Sequence, residues 1–232
     1  MKNEREVRFM PMEIRAEQDE QGAVIEGYPI VFNQETDLGD WRETIDPEAV
    51  SAKNLRDVAL MIGHDFGMIP LAHSRRNNGS GTMQLTPDEH GVFMRAVLDT
   101  KNNPRAAEAY SAIGRGDMTG MSYAFVVNKD SWEDLDAEKP LRRISRLSEI
   151  YEVSLVAFPA YKGTSVQVAS EGDALESVRA SLESARKQAA EERAAAEAAE
   201  EAERARKAEE ERRAAAFERL EKLQKEVRAW TN

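Results

Sequence analysis

Apolar and polar positions alternate through the first part of the chain. Residues 7–33 read as paired strands: 7–10, 12–15, a polar turn at 19–22, then 24–33. Gly27 marks a candidate bulge. Pro29, with no N–H to donate, argues for an edge strand. Residues 36–41 read as a loop and 42–45 as a short strand. Asp46 then caps a helix start, with Pro47 at its first position. Residues 58–65 are a continuous apolar run, which predicts a buried strand ending at His64. The chain must turn there, at Phe66-Gly67, before a short strand over 68–73. A hairpin-type loop at 75–81 precedes two strands, 82–86 and 91–98, joined by a turn at 87–90. Asn103-Pro104 opens a helix through about Ile113, with Ala106, Ala107, Tyr110 and Ile113 on one face.

The stretch Gly116-Asp117-Met118-Thr119-Gly120-Met121-Ser122-Tyr123-Ala124-Phe125-Val126-Val127 joins a polar turn to an alternating strand. A serine at that junction can be held rigid while the glycines let a ligand approach the backbone. Gly120-x-Ser122-x-Ala124 approximates a nucleophile elbow, but an elbow requires strand, turn, then helix. Residues 129–139 read as an acidic loop, and 141–148 leads into a long strand over 149–158 that Pro159-Ala160 stops. Short strands with one helix between them predict an α+β domain over 1–169, mostly antiparallel.

A different pattern begins near residue 173 and defines a second segment, 170–232. Positions 185–216 contain only Ala, Glu, Arg, Lys and Gln, a helix-forming composition. Apolar seams occur only at its ends: Leu175, Val178 and Leu182, then Ala216, Leu220, Leu223, Val227 and Trp230. The middle offers a coiled-coil partner little to pack against. One reading is a solvated single helix held by i,i+4 pairs; the other, which we favour, is an interaction arm on the order of 80 Å long.

Composition narrows the function. The chain has 232 residues, a net charge of -11, 41% hydrophobic residues and no cysteine. Zero Cys removes thiolate nucleophiles, thiolate metal ligands and disulfides, and fits an intracellular protein. The acidic balance argues against general nucleic-acid binding. Residues 1–6 lack an apolar h-region, so a signal peptide is not expected, and no apolar run is long enough to cross a membrane.

Serine chemistry needs a base, and only three histidines exist: His64, His73 and His90. His64 ends a buried strand, whereas His73 and His90 lie near turns. No pair has metal-ligand spacing and His-x-Glu is absent, so neither a metal nor another cofactor is expected. A group must also orient the imidazole. Asp65, adjacent in sequence, would point away on a strand. Glu152 lies inside an apolar strand, where an unpaired carboxylate is costly, on one face with Ile150, Ser154 and Val156. Its partner is an imidazole or, in the structural alternative, Arg142 or Arg143.

Taken in order, several segments resemble the tailed-phage prohead proteases, which are similar in fold to the herpesvirus assemblins. They are Gly27 to Asn33; Glu43-x-Ile45-x-Pro47-x-Ala49; the apolar strand ending in His64-Asp65; Pro70-Leu71; Gly91-Val92-Phe93; Gly116 to Phe125; and Glu152 to Ala160. The resemblance implies a barrel-like β core with flanking helices. It implies His64 as base, Ser122 as nucleophile and a carboxylate as third member: Glu152, with Glu149 as runner-up and His90 behind both. Arg142 and Arg143 are candidate oxyanion contributors by analogy with the assemblins. It also implies major capsid protein and scaffold segments as substrates, self-cleavage, self-association, and a location inside the procapsid in the host cytoplasm. Two departures stand out: Tyr123-Ala124 follows the serine in place of a smaller apolar residue and glycine, and 129–139 looks like an insertion. The competing readings are an inactive scaffold acting through its helix and a small-molecule esterase.

Overall fold

The computed structural model describes residues 5–11, 14–157 and 172–230. Among the described residues, eleven strands form two sheets. The larger contains β1 (Arg5–Pro11), β4 (Thr36–Asp37), β5 (Arg42–Ile45), β6 (Ala59–Ile62), β7 (Ala72–His73), β10 (Gly120–Glu133) and β11 (Leu141–Val156). The smaller runs in the order β2 (Ile14–Asp19), β3 (Gly22–Val31), β9 (Gly91–Leu98) and β8 (Met83–Pro87), all antiparallel. Their pairings close no barrel among the described residues. The larger apolar cluster of the described residues joins both sheets, with Ile25, Leu60, Met94, Phe125 and Leu155 wholly buried. Side chains of this kind each contribute about 1.5–3 kcal/mol when fully buried.

The organising unit is the hairpin of β10 and β11, far longer than the alternation suggested. β10 runs on through Glu133, so the first part of the expected acidic loop at 129–139, residues 129–133, is strand. Register shifts at several points, from Ala124/Phe125 to Lys129/Asp130, bend the pair and let polar residues continue it. β11 takes two parallel partners along its length: β5 beside Leu141–Ile144 and β6 beside Glu152–Leu155. The sheet is therefore mixed. At Tyr151 the ladder slips, so Glu152 faces Ala124 while Ile150 faces Phe125. Simple alternation, which put Ile150 beside Glu152, fails at that extra residue.

Pro29 is not on an edge, because β3 lies between β2 and β9. β2 pairs only as far as Gly27, and the β3–β9 register shifts between Gly27 and Ile30. The proline sits where the ladder already skips, which removes the need for its missing N–H. Gly91 is required for close approach: a Cβ there would run into the Ile30 carbonyl.

Helix α1 (Pro104–Arg115) starts and stops as its sequence dictates. The Asn103 side chain accepts from the backbone N–H groups of Arg105 and Ala106, and Gly116 closes the helix at φ 76°. It buries Ala106, Ala109 and Ile113, so Ala109 replaces Ala107 on the covered face. The expected helix at Asp46 is a single 3-10 turn, Pro47–Ala49. Asp46 does not cap it with its side chain but accepts from Arg143 at 2.9 Å.

Helix α2 (Gly172–Trp230) is continuous. The chain divides into two compact units, Met1–Leu182 and Glu183–Asn232. Within the first, Ala174, Val178 and Leu182 are buried, and Val178 packs with Leu38 and Trp41. Trp132 donates to Ser181 Oγ at 3.1 Å, and Arg179 pairs with Asp40 at 2.6 Å. In the second unit, Glu203–Lys207 and Glu209–Arg213 are i,i+4 ion pairs, while Phe217, Leu220 and Leu223 are exposed. The expected end of the 149–158 strand at Pro159-Ala160, and the 169/170 boundary, lie outside the described residues. No described helix is long and apolar enough to cross a membrane.

Candidate active site

Ser122 is the third residue of β10, between Phe9 of β1 and Ser154 of β11 in the ladder. Its side chain lies on the face opposite that of Tyr123 and Phe125. β6 delivers the histidine. Its ladder with β11 continues one step to Gly63, whose N–H donates to the Leu155 carbonyl at 3.0 Å. Gly63 and His64 then take φ of 60° and 61°. This double left-handed turn reverses the chain and brings the imidazole back over β11. A non-glycine residue held left-handed costs about 1–2 kcal/mol, so the surroundings must hold it.

The imidazole joins two side chains. Nε2 lies 2.7 Å from Ser122 Oγ, and Nδ1 lies 2.7 Å from Glu152 Oε1, across sequence separations of 58 and 88 residues. Ser122 and Glu152 are buried, and the His64 side chain is 14% exposed. A carboxylate can only accept, so Nδ1 carries a proton and a neutral ring presents its Nε2 lone pair to the serine. The Ser122 hydroxyl also lies 2.6 Å from the Arg8 carbonyl oxygen of β1. It has one proton and two acceptors. In the resting arrangement it donates to either; a reaction at Oγ requires the proton to lie toward Nε2.

The second carboxylate oxygen, Glu152 Oε2, accepts from the Ser154 hydroxyl at 2.5 Å. The same Ser154 Oγ accepts the His64 backbone N–H at 3.0 Å. Sequence reasoning placed Ser154 on the face of Glu152 but gave it no part in the site. The usable signal was a second small polar residue two positions from a buried carboxylate within an otherwise apolar strand.

The remaining candidates lie elsewhere. Glu149 is exposed and faces Val126; its carboxylate, after burial, helps push the Tyr151 hydroxyl up. His90 is in the exposed turn, with its ring edge-on to Tyr28 at 4.6 Å. His73 Nδ1 accepts from the Arg75 backbone N–H, and burial, with Arg75, pushes its ring below the usual histidine range. Asp65 accepts from Gly67 N–H. Neither Arg142 nor Arg143 pairs with Glu152. Arg143 binds Glu133 and Asp46, while Arg142 binds Glu6, Glu43 and Asp130, both near the start of β11. Both guanidiniums are thereby committed to ion pairs.

Arg142 belongs to a second buried polar group on the opposite face of the strands. Arg8 makes a two-pronged contact with Glu43, at 2.6 and 2.8 Å, and bonds Glu6 at 2.5 Å. Burial acts to raise the Glu6 carboxyl, but Arg8 and Arg142 outweigh it and hold the group below the usual carboxylate range. Burial likewise acts to lower both guanidiniums, and their carboxylate partners push them up instead. Among the described residues no cluster of His, Asp and Glu is arranged to hold a metal ion.

The family model described as "Caudovirus prohead serine protease" matches residues 10–177, which include His64, Ser122 and Glu152 and stop just inside α2. The "Prohead protease" of Enterobacteria phage HK97 is 29% identical over 174 residues, covering 74% of this chain and 71% of that protein. No solved structure matches. With the family model covering most of the chain, this protein belongs to the Caudovirus prohead serine protease family, a family of peptidases.

Proposed function

We propose that this protein is a serine endopeptidase that cuts capsid and scaffold proteins, and itself, inside the assembling procapsid in the host cytoplasm. Ser122 is the nucleophile, His64 the base and Glu152 the group that holds the imidazole. The observation that carries this reading is the imidazole itself, bonded at one nitrogen to a serine hydroxyl and at the other to a buried carboxylate. Ser122 Oγ forms a bond to the scissile carbonyl carbon as its proton passes to His64 Nε2. Glu152 keeps its bond to Nδ1–H and stabilises the imidazolium. The C–N bond then breaks and Nε2 returns the proton to the leaving amine. Water repeats the sequence to release the acyl group. The developing oxyanion calls for backbone N–H donors.

Ser122 is buried in this conformation, so the scissile bond must be admitted by an opening of the site. We assign that opening to self-association on assembly, with 170–232 as the arm that tethers the 1–169 enzyme to its shell or scaffold and raises its local concentration. Cleavage rate measured against protein concentration, with and without the arm, tests this.

The central experiment is Ser122→Ala in the full chain. Mass spectrometry is expected to show self-truncation of the native protein with time, and none in the variant, while circular dichroism stays unchanged. Continued processing in the variant removes Ser122 from the mechanism. A native chain that never cuts itself or capsid protein leaves the scaffold reading, which the long charged helix favours.

A further inference from the structure

We propose that Ser154 is a positioning residue for the peptidase reaction, one hydroxyl that sets both the carboxylate and the histidine. The inference rests on the reading of His64 and Ser122 given above.

Ser154 is wholly buried, one strand over from Ser122 and directly opposite it. Its Oγ makes two bonds of opposite sense. It donates to Glu152 Oε2 at 2.5 Å and accepts from the His64 backbone N–H at 3.0 Å. Glu152 Oε1 in turn holds His64 Nδ1 at 2.7 Å. The result is a closed ring of contacts: His64 backbone, Ser154, Glu152, His64 side chain. One residue is gripped at both ends through a single hydroxyl.

Each bond answers a specific local need. Glu152 is 1% exposed and its second oxygen lies away from the imidazole, so it requires a donor of its own. His64 sits in the left-handed region at φ 61°, and the ladder between β6 and β11 has already ended at Gly63. Its N–H therefore needs an acceptor from a side chain, and a hydroxyl on the adjacent strand supplies it. Only a side chain that both donates and accepts, and is short enough to stay on its own strand, does both. Serine and threonine meet that description with a single atom; alanine and valine do not.

The ring leaves Ser154 with no acid–base role. Its proton is taken by Glu152, and the imidazole nitrogen that acts as base faces Ser122. Its effect passes through the position of Nε2. A small displacement of a reacting group is enough to slow a step about 100-fold.

The test uses the full chain and a fluorophosphonate probe, which phosphonylates an activated serine. Labelling of Ser122 is located by peptide mass spectrometry and followed at several probe concentrations, giving a maximal rate and a half-saturation constant. Ser154→Ala is expected to lower the maximal rate about 10- to 100-fold and leave half-saturation unchanged. Ser154→Thr, which keeps the hydroxyl, is expected to restore most of the rate. In the Glu152→Gln background, Ser154→Ala is expected to cost clearly less than in the native protein, because the part of its effect that passes through the carboxylate is already lost and only the bond to the His64 backbone N–H remains.

Ser154→Cys carries the same test if the alanine variant does not fold, since it fills the site with a somewhat larger atom that donates only weakly. A maximal rate equal to the native one in Ser154→Ala or Ser154→Cys overturns the proposal. So does a threonine variant as slow as alanine with native melting, or a loss that multiplies fully with that of Glu152→Gln. Native protein left unlabelled at Ser122, at concentrations at which it self-associates, overturns the nucleophile reading itself, which separates the two failures.

Discussion

The same three strands, β1, β10 and β11, carry a buried polar network on each face, and the two are chemically unlike. On one face His64, Ser122, Glu152 and Ser154 contain a single fixed charge among groups that both donate and accept. On the other, Glu6, Arg8, Glu43, Arg142 and Asp130 are all formal charges in direct ion pairs. The first network has the groups to pass a proton, because an imidazole accepts at one nitrogen while it donates at the other, and a hydroxyl can turn between acceptors. The second cannot, because guanidinium does not release its proton at any relevant pH. It holds β1 against the hairpin. Burial alone therefore does not identify chemistry; the presence of groups able to exchange protons does.

The sharpest way to break this comparison is Glu152→Gln, which preserves shape and removes the charge. Cleavage is expected to fall about 1,000- to 10,000-fold with the fold intact, since the imidazole loses its tautomer and its counter-charge. The same loss of activity from a charge-cluster variant at unchanged stability would erase the distinction.

Arg142→Met is the reciprocal test. It leaves Glu6, Glu43 and Asp130 with one guanidinium where they had two, in a buried setting. Urea unfolding is expected to show a loss of about 3–5 kcal/mol, while the folded fraction keeps its cleavage rate.

A smaller effect is expected from acid. The folded Glu6 carboxyl is held below its unfolded value. Its stabilisation is then fully present above the unfolded carboxylate range and is lost as pH falls through the lower folded value. Stability measured from pH 6 downward should decline along that limb, and Glu6→Gln should flatten it. A limb that is identical in the variant would assign the acid sensitivity to other carboxylates.

The smallest effect belongs to the arm, whose charges face water. Arg213→Ala removes an exposed i,i+4 pair with Glu209 and should change helix stability by less than about 0.5 kcal/mol, read by circular dichroism. A larger change would mean that this segment is packed against something.

Much of the fold was legible locally. Helix α1 announces itself through Asn103, Pro104 and Gly116, and α2 through its composition, because capping and propensity act over a few residues. The β10–β11 hairpin was underestimated. Its polar second half, 129–133, pairs through backbone groups that any side chain can accompany, so hydrophobicity gave no sign of it. Pro29 misled for a related reason: a bulge can absorb a missing N–H as well as an edge can.

Of the site, the chain alone named the residue types and their order. Ser122 was conspicuous at a turn-to-strand junction, and Glu152 as a charge inside an apolar run. What the linear order could not express was the left-handed turn at Gly63-His64, the Ser154 bridge, or the Arg8 carbonyl beside Ser122. Those depend on which strands lie side by side, and pairing between residues 58 to 114 positions apart is decided by packing of the whole core. Local chemistry wrote the components; only the assembled sheets gave them distances at which a proton can pass.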